Sequence, residues 1–206
     1  TQLITLQAND GNGNTTAVHS FTITLKDTQA RVVTSTPSDH TENMDAGLCT
    51  FMLPNYGLAS IASDNCGTVN WIQVPPIGTV ISGGDGATQL ITLQANDGNG
   101  NTSAVHSFTI TLNDTQAPVV TSTPSDHTEN MDAGVCTFML PDYGLASVAT
   151  DNCGTVNWIQ VPPTGTVISG GDGATQLITL QANDGNGNTT AVHSFTITLN
   201  DVQAPV

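Results

Sequence analysis

The string Asp-Gly-Asn-Gly-Asn occurs three times, at Asp10 to Asn14, Asp97 to Asn101 and Asp184 to Asn188. Hard oxygen donors alternating with glycine reproduce the first three ligand positions of an EF-hand calcium loop. The match then fails. No further Gly follows, and the twelfth position of the second copy is Phe108, where a bidentate Glu is needed. Two readings of the motif remain open. It is a plain hairpin loop, in which Asn-Gly supplies positive φ, or its oxygens belong to a calcium site assembled from several loops.

Other acids gather around the second reading. Asp114, Asp151 and Asn152 are expected at the same end of a module as Asp184, Asn186 and Asn188, faced by Asp39, Glu42, Asp45 and Asp85 of the module before. One period earlier the matching set is Asp27, Asp64, Asn65, Asp97, Asn99 and Asn101. Calcium takes six to eight oxygens, and such a crowd of carboxylates repels itself unless neutralised.

The remaining reactive side chains say less. Cys49, Cys66, Cys136 and Cys153 allow three disulfide connectivities, and identical units favour pairing within each unit, Cys49 with Cys66 and Cys136 with Cys153. Disulfides imply an oxidising compartment, and no CxxC or Cys/His pattern suggests zinc. His106 and His193 fall in phase with core residues, whereas His40 and His127 lie beside acids. Sequons at Asn14, Asn101 and Asn188 are candidate glycan acceptors in a chain so rich in Asn and Thr that chance matches are expected. Every candidate nucleophile or base recurs with the repeat, so no catalytic residue is assigned and the segment is not expected to be an enzyme. Lys26 is the only lysine, which rules out Lys–Asn isopeptide cross-links in the units that follow it.

The elements that must hold these residues repeat as well. The string TQLITLQANDGNGN begins at Thr1, Thr88 and Thr175, an offset of 87 residues each time. That is too long for a solenoid repeat and suits a small sandwich with its own core. The expected division is 1–27 as the last two strands of a preceding repeat, 28–114 and 115–201 as complete repeats, and 202–206 as the start of another, a window on a longer polymer. In the last complete repeat, strands are expected at 118–123, 135–140, 155–161, 166–169, 176–182 and 191–199. The alternation of His193, Phe195, Ile197 and Leu199 marks an inward face. Six or seven short strands, with Trp158 on the third and no helical period, predict all-β, immunoglobulin-like sandwiches joined end to end. The joint at 113–118 is short and stiffened by Pro118, and each module should extend the chain by about 35–40 Å.

Composition narrows the partners. Two basic residues stand against seventeen acidic ones, a net charge of −15, which repels nucleic acid and anionic lipid. No run of eighteen apolar residues suggests membrane insertion.

DTQAP at 114–118, DAGVC at 132–136, TDNCG at 150–154, ANDGNGN at 182–188 and FTITLND at 195–201 together resemble the hyalin-repeat (HYR) family of extracellular immunoglobulin-like modules, as found in bacterial surface adhesins and filaments. The first complete unit repeats these elements, with Arg31 in place of the linker proline. The resemblance implies a secreted or cell-surface location and a structural or adhesive role. Where many members carry a further cysteine, this chain has His19, His106 and His193, which leaves Cys49, Cys66, Cys136 and Cys153 to pair among themselves. The expected role is a stiff rod or filament, rigidified by calcium at its joints. Its partners would be neighbouring repeats, other copies in a fibre, and a surface glycan or protein ligand. The alternative is a carbohydrate-binding module array accompanying an enzyme elsewhere, for which Tyr56, Trp71, Tyr143 and Trp158 are the available aromatics.

Overall fold

The computed structural model describes residues 1–204, so the last two positions of the expected 202–206 stretch lie outside the described residues. Its strands are β1 (Gln2–Leu6), β2 (His19–Ile23), β3 (Val32–Ser35), β4 (His40–Asn43), β5 (Thr50–Met52), β6 (Ile61–Ser63), β7 (Asn70–Val74), β8 (Val80–Ser82), β9 (Thr88–Asn96) and β10 (His106–Asn113). The same succession returns as β11 (Val119–Ser122), β12 (His127–Asn130), β13 (Thr137–Met139), β14 (Val148–Thr150), β15 (Asn157–Val161), β16 (Val167–Ser169), β17 (Thr175–Asn183) and β18 (His193–Asn200). Single 3₁₀ turns at Tyr56–Ala59 and Tyr143–Ala146 are the helical elements among the described residues. The chain is all-β, and it divides into two compact units, 1–37 with 55–76 and 91–108, and 38–54 with 77–90 and 109–206.

The second unit contains one full set of strands, β11 to β18. β12, β18, β17 and β15 form a four-stranded sheet in that order, with β12 parallel to β18 and the other pairs antiparallel. β13 pairs with β16, and β11 with β14. The strand expected at 118–123 is present as β11, and a further strand, β12, follows it. β11 pairs with β14 through an irregular register between Val120 and Ser122, and Pro124, with no N–H to donate, precedes β12 in the larger sheet. β12 escapes a hydrophobicity search because its residues, His-Thr-Glu-Asn, are polar. It sits at a sheet edge with His127 and Glu129 half-buried.

Alternation gives β17 and β18 their inner face. Ile178, Leu180, Ile197 and Leu199 are at most 1% exposed and pack with Phe195, Leu140 and Tyr143, covered by Phe138 of β13 and Ile168 of β16. Each such Leu or Ile contributes about 1.5–3 kcal/mol by leaving water. Trp158 packs against this cluster, and Gly144 lies so close to it that a Cβ there would meet the Trp158 Cβ at 2.8 Å and the indole Cγ at 3.0 Å. Tyr56 and Tyr143 are buried, so these tyrosines present no open face for a sugar.

In the first unit β1 pairs with β2, β3 with β6 and β7 with β9. Ile91, Leu93 and Ala95 are fully buried, and the Tyr56 and Phe108 rings meet edge to face at 5.0 Å. β1 and β2 share the sequence of β17 and much of β18, yet Leu6, Phe21 and Ile23 are 45–58% exposed. Local sequence forms the hairpin, and an opposing layer is what buries it.

Candidate metal centre

The Asp-Gly-Asn-Gly-Asn loop connects β17 to β18. Gly185 and Gly187, at φ 83° and 107°, adopt the left-handed conformation that side-chain-bearing residues avoid. The loop thereby curls around its own first residue. Asp184 Oδ1 accepts the backbone N–H groups of Asn186 (2.8 Å) and Asn188 (3.1 Å), and Oδ2 accepts Asn188 Nδ2 at 2.6 Å. Burial pushes this carboxyl up, but these hydrogen bonds outweigh it and hold the pKa below the ordinary carboxylate value. Asn188 Nδ2 also donates to the Asp114 carbonyl (3.2 Å), and Asn186 Nδ2 to the Cys153 carbonyl (3.2 Å), tying the loop to the linker and to the β14–β15 loop.

Those ties bring three carboxylates together. Asp114, Asp151 and Asp184 each offer an oxygen, all within 4.8 Å of one another, with Asp114 and Asp184 buried and Asp151 half-buried. Asp114 Oδ1 accepts from Gln116 N and Asn152 Nδ2, and Asp151 Oδ2 from Cys153 N at 2.8 Å. Asp114 Oδ2 and Asp151 Oδ1 are buried and have no hydrogen-bond partner. At an effective dielectric constant near 20, carboxylates so placed repel by roughly 3–4 kcal/mol per pair. The chemistry of the donor set fits a hard divalent cation. Two orphaned carboxylate oxygens need a positive partner, and calcium prefers anionic oxygen. The three aspartates would supply part of its shell.

The other acids expected at this joint fall outside the group of three. Asp39 Oδ1 caps the Thr109 N–H at 2.6 Å, Glu42 lies 3.0 Å from His40 Nε2, and Asp45 Oδ2 accepts from Met52 N at 3.0 Å. Asp39 thereby reaches β10 and Asp45 reaches β5, while Glu42 and His40 share β4. Asp85 does reach the joint, but as an acceptor, taking the Asp114 N–H at 2.8 Å. Gln116 was missed as a contact. Its Oε1 accepts from Gly47 N at 2.8 Å, beside an Asn152 Nδ2 bond to the Leu48 carbonyl at 3.1 Å.

The disulfide expectation is also corrected. Cys49 bonds to Cys153, 104 positions away, while Cys66 and Cys136 are free and exposed. Pairing therefore runs from one repeat to the next instead of within each. The cause is the joint itself: the Gly47 and Leu48 contacts seat the turn after β4 against the β14–β15 loop, leaving the two Cα atoms 4.7 Å apart. As for the sequons, the Asn101 and Asn188 side-chain nitrogens are both occupied by hydrogen bonds to aspartate and linker oxygens, and the exposed Asn14 donates to Asp10 Oδ2 at 2.6 Å. A glycan on Asn101 or Asn188 would displace the bonds that fold the loop.

In the first unit the corresponding loop is built alike. Asp97 takes the N–H groups of Asn99 (2.7 Å) and Asn101 (3.0 Å), and Asn101 Nδ2 donates to the Asp27 carbonyl at 3.2 Å. Asp64 Oδ2 accepts from Cys66 N at 3.1 Å, while Asn65 and Asn99 are exposed. Here a guanidinium enters. The Arg31 and Asp64 side chains are both fully buried, with Nη1 3.2 Å from Asp64 Oδ2 and Nη2 donating to the Thr68 carbonyl at 2.6 Å.

Neither a protein-family model nor a curated protein matches the chain. Among solved structures it is similar to human mucin-like protocadherin repeats EC1-2, at 13% identity over 86% of this chain and 100% of that one, with a TM-score of 0.38. It is also similar to mouse cadherin-23 EC22-24, at 14% identity over 86% of this chain and 68% of that one, with a TM-score of 0.42. These values carry no functional argument. Among the described residues, no helix is long and apolar enough to cross a membrane.

Proposed function

We propose that this chain is a segment of an extracellular tandem-repeat protein with a structural or adhesive role. In this reading 28–114 and 115–201 are successive modules, stacked end to end into a stiff rod or filament and clamped at their joints by calcium. The observation that carries it is the double closure around the 113–118 linker, where the Cys49–Cys153 bridge lies beside three converging carboxylates. A linker meant to flex has no use for either. The disulfide supports an oxidising, extracellular location, and the resemblance to HYR modules supports adhesion. Asp114, Asp151 and Asp184 would hold the cation, which would neutralise their mutual repulsion and lock the linker to both flanking loops.

Small-angle scattering of the full chain tests this reading. Calcium should give an extended particle of fixed maximum dimension, and chelator together with reductant should broaden the distribution of dimensions. Identical broad profiles under all conditions would refute the stiffened joint.

A further inference from the structure

The 27–31 and 114–118 segments differ at one buried position. Both read Asp-Thr-Gln-Ala, followed by Arg31 in the first and Pro118 in the second. Around them the shells agree in detail. Asn101 and Asn188 each donate 3.2 Å to the carbonyl of the linker aspartate and 2.6 Å to the loop aspartate. Asp64 and Asp151 each cap the N–H of the cysteine two residues on. Asp27 Oδ2 and Asp64 Oδ1 are buried without hydrogen-bond partners, as are Asp114 Oδ2 and Asp151 Oδ1. Yet only the second set closes into a group of three carboxylates among the described residues.

We infer that the Arg31 guanidinium takes, in the first joint, the place a divalent cation takes in the second, so that the two joints of one chain differ in their need for metal. This inference rests on the cation reading of the second joint. A guanidinium cannot lose its charge at any ordinary pH and offers five donors in a rigid fork. Buried completely, it is compensated for lost water by the Asp64 carboxylate and the Thr68 carbonyl beside it. Arg31 Nε and Nη1 make no hydrogen bond of good geometry, so the group acts there chiefly as a fixed positive charge, anchored by the Thr68 carbonyl. Lys26, the one other cationic side chain, is exposed. Pro118 carries no charge, and the second set of carboxylates is left for a mobile ion to neutralise.

Calorimetric titration of the full chain with calcium chloride tests the assignment. Wild type should bind one ion with high affinity, and R31P should bind two. R31P places the residue that the same chain already accommodates at 118; R31Q, which keeps side-chain bulk, guards against a folding defect and should also gain the second site. D151N should abolish the wild-type site and leave the new one in R31P, while D64N should abolish the new one alone. Two ions in wild type, or one in both R31P and R31Q, would overturn the role given to Arg31 while leaving the cation reading intact. No binding to any variant would overturn the cation reading, and this inference with it.

Discussion

Single atoms decide the behaviour of several positions. Gly144 has no room for a methyl group, because its Cβ would meet Trp158 at 2.8 Å and the Asp142 carboxylate at 2.9 Å. Overpacking of this kind costs about 1–3 kcal/mol. G144A should therefore lower the urea midpoint of the 115–201 region, with an unchanged midpoint marking the contact as slack. His40 shows a charge effect. The Ser38 carbonyl at 2.7 Å from Nδ1 raises its pKa above 6.5; burial opposes this, and Glu42 at Nε2 adds to the rise. The charged form is thus favoured in the folded state. Its stabilisation is full below pH 6.5 and is lost as pH rises through the elevated folded value. Urea midpoints measured from pH 6 to 9 should fall on the alkaline side, and H40Q should flatten that fall. An equal slope in both proteins would remove His40 as its source.

At the scale of elements, the strands divide by how much their neighbours contribute. β17 and β18 could be read directly, since Ile178, Leu180, Phe195, Ile197 and Leu199 alternate and all are buried. L180A should cost about 2–5 kcal/mol by cavity formation, and chemical denaturation followed at Trp158 would measure it. β12 could not be read, because its place is set by parallel pairing with β18 and not by apolar residues. Among the acids, Asp114, Asp151 and Asp184 were identifiable as candidates from loop position. Asp39 and Asp45 were not separable from them, since which carboxylates converge depends on how the loops meet, which only the folded chain defines. The cysteine pairing was hidden for a different reason. A periodic sequence offers each cysteine equivalent partners in its own repeat and in the next, and only the geometry of the joint chooses between them.

For the whole molecule, the joint chemistry makes a direct claim about connectivity. Peptide mapping of the unreduced protein should recover Cys49 linked to Cys153, with Cys66 and Cys136 open to alkylation. A Cys49–Cys66 peptide would contradict the described joint. In the chain-entropy treatment, closing a ring of this size stabilises by about 4–5 kcal/mol. Reduction should accordingly lower the thermal midpoint of the second unit, more than it lowers that of the first.

The bridge spans 104 positions, 17 beyond the 87-residue offset, so the ring it closes overlaps two copies of the sequence. Under tension applied at the termini, force would cross that ring through sulfur, and the roughly one hundred residues inside it would carry none. Unravelling them could not lengthen the oxidised chain; cleaving the bridge should release about 350 Å of hidden contour at some 3.4 Å per residue. A single-molecule pulling trace in reductant would show that step, and the oxidised chain, whose β15, β17 and β18 lie outside the ring, would lack it.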